Sequence, residues 1–127
     1  MMIKRHLSIL GLFSLILCLF LSGCLSRKFP VMSGLWDLEM ISEEYTGNSY
    51  FEITRHYGYN FSGLFCEGGR PCRELFGLLF DGGKVSIYTW IDGKSIDFNG
   101  EISKDNMSGT FIIHSTQEEG TWTASKQ

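Results

Sequence analysis

Two carboxylates, Asp97 and Glu101, lie four residues apart and could form an acid–base pair. In an extended strand such residues share one face, so both side chains would point the same way. The other residues on that face are polar, which indicates a solvated exterior. Neither His56 nor His114 stands beside a recognisable nucleophile motif. We therefore expect a protein that is not an enzyme.

One glycine-rich segment approaches two known ligand-binding loops without matching either. A phosphate-binding loop ending at Lys84 requires Gly where Leu78 stands, and Ser or Thr where Val85 stands. A calcium loop beginning at Asp81 lacks acidic residues at its third and fifth positions and ends in Asp92. The sequence thus predicts neither a cofactor nor a metal site.

The first residues have the form of an export signal. Lys4 and Arg5 precede an apolar run over residues 7–21. This run is shorter than the roughly 20 residues that a membrane-spanning helix needs, and it is typical of the apolar region of a signal peptide.

The run ends at Leu21, and the four residues Leu21-Ser22-Gly23-Cys24 resemble the lipobox of bacterial lipoprotein precursors. The resemblance implies diacylglycerol on the sulfur of Cys24, cleavage after Gly23, and acylation of the new amino terminus, commonly with palmitate. A thiolate suits this chemistry because it is the nucleophilic form of cysteine. The alternative is an ordinary signal peptide or membrane anchor that happens to end in Cys.

Two or three acyl chains would hold the protein on a bilayer permanently. In the enterobacterial lipoproteins that it resembles, Leu25 in place of Asp favours the outer membrane, facing the periplasm. Arg27 and Lys28 could meet anionic head groups or be solvated tether residues. We expect a cell-envelope protein with a signal peptide at 1–23, a lipidated tether at 24–33 and one domain at 34–127.

The net charge of the chain argues against one class of binding partner, nucleic acids. The chain carries 11 basic and 14 acidic residues, a net charge of −3. Without Lys4 and Arg5 the remainder has nine bases against 14 acids, or −5. This balance excludes a generally basic nucleic-acid-binding protein.

Cys66 and Cys72 remain as a pair once Cys18 falls in the leader and Cys24 is lipidated. Exported proteins meet an oxidising compartment, so we expect a disulfide that closes a short glycine-rich loop. The alternatives are weaker, because a redox pair usually has two intervening residues and a zinc site needs further ligands.

The pattern from Gly34 onward predicts β-strands alone. Turn residues cut this part into eight short runs, and apolar residues alternate with polar ones within the runs. Asp92-Gly93 is the strongest hairpin signal, since both residues suit positive φ. A sustained helical stripe is not found, so the fold class is all-β.

Glycine recurs between inward apolar residues and predicts the architecture. The pattern occurs at Met32-Gly34-Trp36, Phe61-Gly63-Phe65, Leu75-Gly77-Leu79, Phe98-Gly100-Ile102 and Met107-Gly109-Phe111. Glycine inside a strand often marks a tight bend or a close approach of backbones. We therefore expect an eight-stranded antiparallel up-and-down barrel closed by its first and last strands, with a β-sandwich as the alternative.

The domain resembles a small calycin, the group that includes lipocalins and avidins. The resemblance rests on Gly34-Leu35-Trp36 in the first strand, the repeated glycines, and Gly120-Thr121-Trp122 in the last strand. It implies the barrel fold, and it does not name a ligand.

The aromatic residues supply the candidate binding sites. Inward parity is predicted for Trp36, Phe51, Phe61, Phe65, Phe98, Phe111 and Trp122. These rings either fill the barrel or leave a shallow apolar pocket at one mouth. Trp36 could line such a pocket, and Arg55 is predicted to point into the barrel near it. Tyr88 and Trp90 have outward parity and could form a contact surface. We expect no deep cavity and at most a pocket near Arg55.

The leading functional hypothesis is a membrane-anchored, non-enzymatic binding module that acts through its outer surface and loops, with an envelope protein as partner. Three alternatives remain open: a carrier of small apolar ligands, an inhibitor of a secreted hydrolase, and a structural lipoprotein of the envelope.

Overall fold

The structure is a computed structural model that describes residues 29–127. It contains eight strands: β1 (Gly34–Ser42), β2 (Thr46–Tyr57), β3 (Asn60–Glu67), β4 (Arg73–Phe80), β5 (Lys84–Ile91), β6 (Lys94–Ser103), β7 (Asn106–Ile113) and β8 (Glu118–Lys126). Each strand pairs antiparallel with its neighbours in sequence, and β1 pairs with β8 to close the barrel. The predicted up-and-down barrel is confirmed. A helix long and apolar enough to span a bilayer is not found among these residues.

The barrel has two distinct ends. Residues 29–33 and the turns at 58–59, 81–83 and 104–105 lie at one end, which we call the tether end. The connections at 43–45, 68–72, 92–93 and 114–117 lie at the other, which we call the disulfide end. The predicted hairpin turn is confirmed at the disulfide end, where Asp92 and Gly93 have φ values of 50° and 75°.

Alternating burial along the strands produces one core. The seven aromatic residues predicted to point inward are all buried. Phe98 packs edge-on against Phe51 and Trp122, with ring centroids 5.3 and 5.5 Å apart. The indole N–H of Trp122 reaches the carbonyl oxygen of Thr110 at 3.0 Å, so this buried donor is satisfied. The rings therefore fill the lumen.

Three inward glycines permit the close approach of neighbouring strands. A Cβ atom at Gly63 would overlap the carbonyl oxygen of Glu52, and one at Gly109 would overlap that of Asn99. Gly100 lies directly opposite Gly109, so β6 and β7 approach closely where both side chains are absent. Gly34 differs from the prediction. It opens β1 as an exposed residue with φ of 132°, so its role is conformational.

A bulge in β2 gives Arg55 a different direction from the one predicted. The register shifts between Ile53, which pairs with Gly63, and Arg55, which pairs with Ser62. The extra residue, Thr54, reverses the alternation that the sequence implied. The inward parity predicted for Arg55 is therefore wrong, and its exposed side chain belongs to the outer wall.

Residues before β1 also belong to the packed unit. Met32 is fully buried, and its carbonyl oxygen accepts the indole N–H of Trp36 at 2.8 Å. The ring of Phe29 packs edge-on against Tyr59, with centroids 4.8 Å apart. The segment from Phe29, which the sequence assigned to a tether, thus closes one mouth of the barrel.

Candidate functional site

An apolar groove of about 510 Å³ runs along the outer wall over β3, β4 and β5 and reaches the end of β2. We call it the outer-wall groove. Its main lining residues are Arg55, Tyr57, Ser62, Phe76, Leu78 and Tyr88. Phe76 is 50% exposed and Leu78 44% exposed, so the apolar walls face solvent.

The groove arises because large and small side chains lie next to each other on the outer faces of β3, β4 and β5. Phe76 pairs with Ser62 on one side and with Tyr88 on the other. One step towards the tether end, Leu78 lies between Asn60 and Ser86. The short serine side chains leave space beside the large apolar ones, and this space is the groove.

Strand β4 carries apolar residues on both faces, which explains why the groove lies there. Leu75 and Leu79 point into the core, while Phe76, Leu78 and Phe80 point outward. A barrel of this kind buries only one face of each strand, so half of a continuous apolar run must remain outside. The apolar run from 75 to 80 is the sequence signal that could have revealed the groove.

Arg55 stands at the edge of the groove because of the bulge at Thr54. It lies on the outer face beside Ser62, its partner on β3. The structure thus places a guanidinium next to an apolar surface, where it can bind a carboxylate or stack on an aromatic ring. The sequence allowed at most a pocket at the barrel mouth with Arg55 pointing into it, whereas Arg55 lines a groove on the outer wall.

Tyr88 and Trp90 form an aromatic pair on the outer face of β5. Their ring centroids are 4.7 Å apart at an interplanar angle of 75°. Tyr88 is 38% exposed and lines the outer-wall groove, whereas Trp90 is half-buried and lines a smaller pocket at the disulfide end. The pair separates the two depressions along one strand.

The smaller pocket, of about 270 Å³, lies beside the glycine-rich loop, and its main lining residues are Phe65, Glu67, Arg70, Pro71, Arg73 and Trp90. Arg70 Nη1 lies 2.6 Å from Asp92 Oδ2, and this exposed ion pair joins the loop to the next hairpin. Because both partners face water, the pair contributes little to stability.

The predicted Cys66–Cys72 disulfide is present in the structure and joins the two ends of the loop, with Cα atoms 4.3 Å apart. Cys66 pairs with Tyr50 on β2, which places it on the outer side of the wall. It is nevertheless buried, at 2% exposure, while Cys72 is exposed.

A tyrosine–carboxylate contact supports the same loop from the β1–β2 connection. The hydroxyl of Tyr45 donates a hydrogen bond to Glu67 Oε1. Burial, with this bond and the negative charge of Glu67, raises the pKa of Tyr45 well above its usual range. Tyr45 is therefore held neutral as a donor to the loop.

The remaining candidates are placed as follows. Trp36 is fully buried, with Lys126 Nζ 5.6 Å above its ring, so it forms part of the core and not a contact surface. Cys24 lies outside the described residues.

Asp97 and Glu101 both face outward, and Asp97 Oδ2 lies 2.6 Å from His114 Nε2. Residues 29–127 contain no cluster of His, Cys, Asp and Glu that could hold a metal ion.

No protein-family model matches this chain, and no curated protein matches it significantly. The function of the protein is therefore inferred from the geometry of the barrel surface.

Proposed function

We propose that this protein is an exported, lipid-anchored binding module that is not an enzyme and that holds an apolar segment of an envelope protein in its outer-wall groove. The observation that carries the proposal is the position of accessible apolar surface. The groove lies outside the barrel, lined by Phe76, Leu78 and Tyr88, while the lumen is filled.

The filled lumen disfavours a carrier of small apolar ligands. Phe51, Phe98 and Trp122 contact one another across the barrel, with centroids 5.3 to 6.2 Å apart. Inserting additional groups into a packed core costs about 1–3 kcal/mol and forces neighbouring side chains to move. A small ligand also needs a site that encloses most of its surface, whereas this groove is open along the wall.

The composition of the groove favours a protein segment as its occupant. Aromatic residues and arginine are both more frequent at protein interfaces than on the rest of the protein surface. Phe76 and Tyr88 would supply apolar contact, and Arg55 would supply one polar interaction at the edge. A contiguous exposed apolar surface of this kind indicates an interaction site.

The anchor is supported by the sequence Leu21-Ser22-Gly23-Cys24 directly after an apolar run. Cys24→Ala should abolish both acylation and cleavage after Gly23. Intact mass spectrometry of protein purified from membranes measures both. An unmodified Cys24, or a different first residue, would contradict the anchor.

Photo-crosslinking tests the groove. We would place benzoylphenylalanine at Phe76, or at the control position Thr121 on the outer face of β8, and irradiate intact cells. A discrete adduct is expected from Phe76 alone, and Leu78→Asn should remove most of it because a polar side chain then lines the groove. The same adducts from both positions, or an adduct unchanged by Leu78→Asn, would refute the groove as the binding site.

A further inference from the structure

The exposed apolar side chains are concentrated at one end of the barrel. Of the ten large hydrophobic residues that are exposed in residues 29–127, six lie at the tether end: Val31, Leu35, Tyr57, Tyr59, Leu78 and Phe80. Tyr57 is 85% exposed, Val31 67% and Phe80 51%. Val31 precedes β1, Tyr57 ends β2 and Phe80 ends β4. With Tyr59 in the β2–β3 turn, they form an apolar rim along the β1–β4 side of this mouth.

The chain is fastened to the barrel at this same end. Phe29 packs on Tyr59, and Lys126 Nζ donates a hydrogen bond to the carbonyl oxygen of Val31 at 2.9 Å. Four residues separate Phe29 from Cys24. Even fully extended, this link spans at most about 18 Å between the two Cα atoms. A lipid on Cys24 would therefore hold the tether end close to the bilayer.

Charge is distributed unequally between the two ends. We counted the charged side chains in the connections at each end and in the three strand residues next to each connection. The disulfide end carries seven acidic and three basic side chains, which are Glu43, Glu44, Glu67, Glu74, Asp92, Glu118 and Glu119 against Arg70, Arg73 and Lys94. At the tether end, four basic residues, Arg55, Lys84, Lys104 and Lys126, face three acidic ones, Asp81, Glu101 and Asp105. An anionic bilayer surface repels the first end and not the second.

From these three observations we propose that the tether end of the barrel rests on the bilayer surface, with the aromatic rim of Tyr57, Tyr59 and Phe80 at the head-group level and the disulfide end directed away from the membrane. This inference rests on the lipid anchor of the proposed function. Tyrosine is favoured at this depth because its ring is apolar and its hydroxyl remains hydrated. The acidic disulfide end is then presented to the aqueous compartment.

The orientation can be measured on the full-length lipidated protein in vesicles of phosphatidylethanolamine and phosphatidylglycerol. A single cysteine at Asp105 marks the tether end, and one at Ser115 marks the disulfide end. Each is labelled with an environment-sensitive fluorophore without reduction, so that Cys66 and Cys72 do not react. Iodide reports exposure to water, and a lipid with a nitroxide near its head group reports proximity to the bilayer.

We expect the label at position 105 to be quenched by the nitroxide lipid and to lose most of its iodide quenching on vesicles, compared with detergent. The label at position 115 should show neither change. Replacing Tyr57 and Phe80 with Ser should reduce nitroxide quenching at position 105 severalfold. The matched replacement of Ile41 and Tyr50, which are exposed but lie outside the tether end, should leave it unchanged.

Flotation of the vesicles separates failure of the anchor from failure of the orientation. Protein that does not float with the vesicles would overturn the anchor and this inference with it. Protein that floats with both labels equally open to iodide, or both equally shielded, would overturn the orientation and leave the anchor standing.

Discussion

The ring of Phe61 occupies the space that a Cβ atom at Gly77 would need. The two residues pair across β3 and β4, and both line the outer-wall groove. The glycine thus allows an inward aromatic ring to lie against the neighbouring strand. The shape of the groove and the packing of the core depend on the same contact.

Gly77→Ala should lower the free energy of unfolding by about 1–3 kcal/mol, because the added methyl group must displace the Phe61 ring. Gly68→Ala is the matched control, since nothing lies within 4 Å of a Cβ atom there. Denaturation by urea, followed by tryptophan fluorescence, measures both. If both substitutions lower the free energy of unfolding equally, the Phe61 ring does not depend on the missing Cβ atom of Gly77.

The disulfide should contribute about 2 kcal/mol, the amount expected for closing a short loop in the unfolded chain. Replacing Cys66 and Cys72 together with Ala should lower the free energy of unfolding by this amount. Thiol titration of the unfolded, unreduced wild-type protein should find no free sulfhydryl from this pair. Two reactive thiols would contradict the bridge.

Tyr45 should make stability fall at alkaline pH. Its pKa is raised in the folded protein, because burial and Glu67 favour the neutral form. The stabilising contribution is therefore complete below the ordinary tyrosine pKa of about 10, and it is lost as the pH rises above that value.

Absorbance titration at alkaline pH should show one of the five tyrosines of the chain ionising after the usual range. Tyr45→Phe should remove that late step and reduce the loss of stability above pH about 10. A late step that persists in Tyr45→Phe would assign it to another residue.

Two buried hydroxyls should respond differently to removal. Thr89 Oγ1 donates to the carbonyl oxygen of Glu74 at 2.8 Å, whereas Ser49 Oγ is buried with no hydrogen-bond partner among residues 29–127. Thr89→Val should lower the free energy of unfolding by about 1 kcal/mol, and Ser49→Ala should leave it unchanged or raise it. Urea denaturation measures both, and a loss in Ser49→Ala as large as that in Thr89→Val would indicate a partner for Ser49.

The sequence by itself determined the strands, their turns and the closed barrel. Three of the signals are local: the alternation along β6, the Asp92-Gly93 turn, and the glycines at 63 and 109 that lie between apolar residues. Each of them constrains the backbone of its own segment, whatever the rest of the chain does. Cys66 and Cys72 were also predicted as a pair, because Cys18 and Cys24 were assigned to the leader and the lipid anchor and an exported domain meets an oxidising compartment.

Only the tertiary structure decided which surface is available for binding. The bulge at Thr54 turned Arg55 outward, because register depends on the partner strand as well as on the residues of β2. Trp36 points inward as predicted, but it packs in the same core as Met32, which accepts its indole N–H, and so it does not line a pocket at the mouth. Burial is a property of the assembled barrel, so alternation within one strand could not show that residues 29–33 belong to the core or that the outer side of β4 forms a groove.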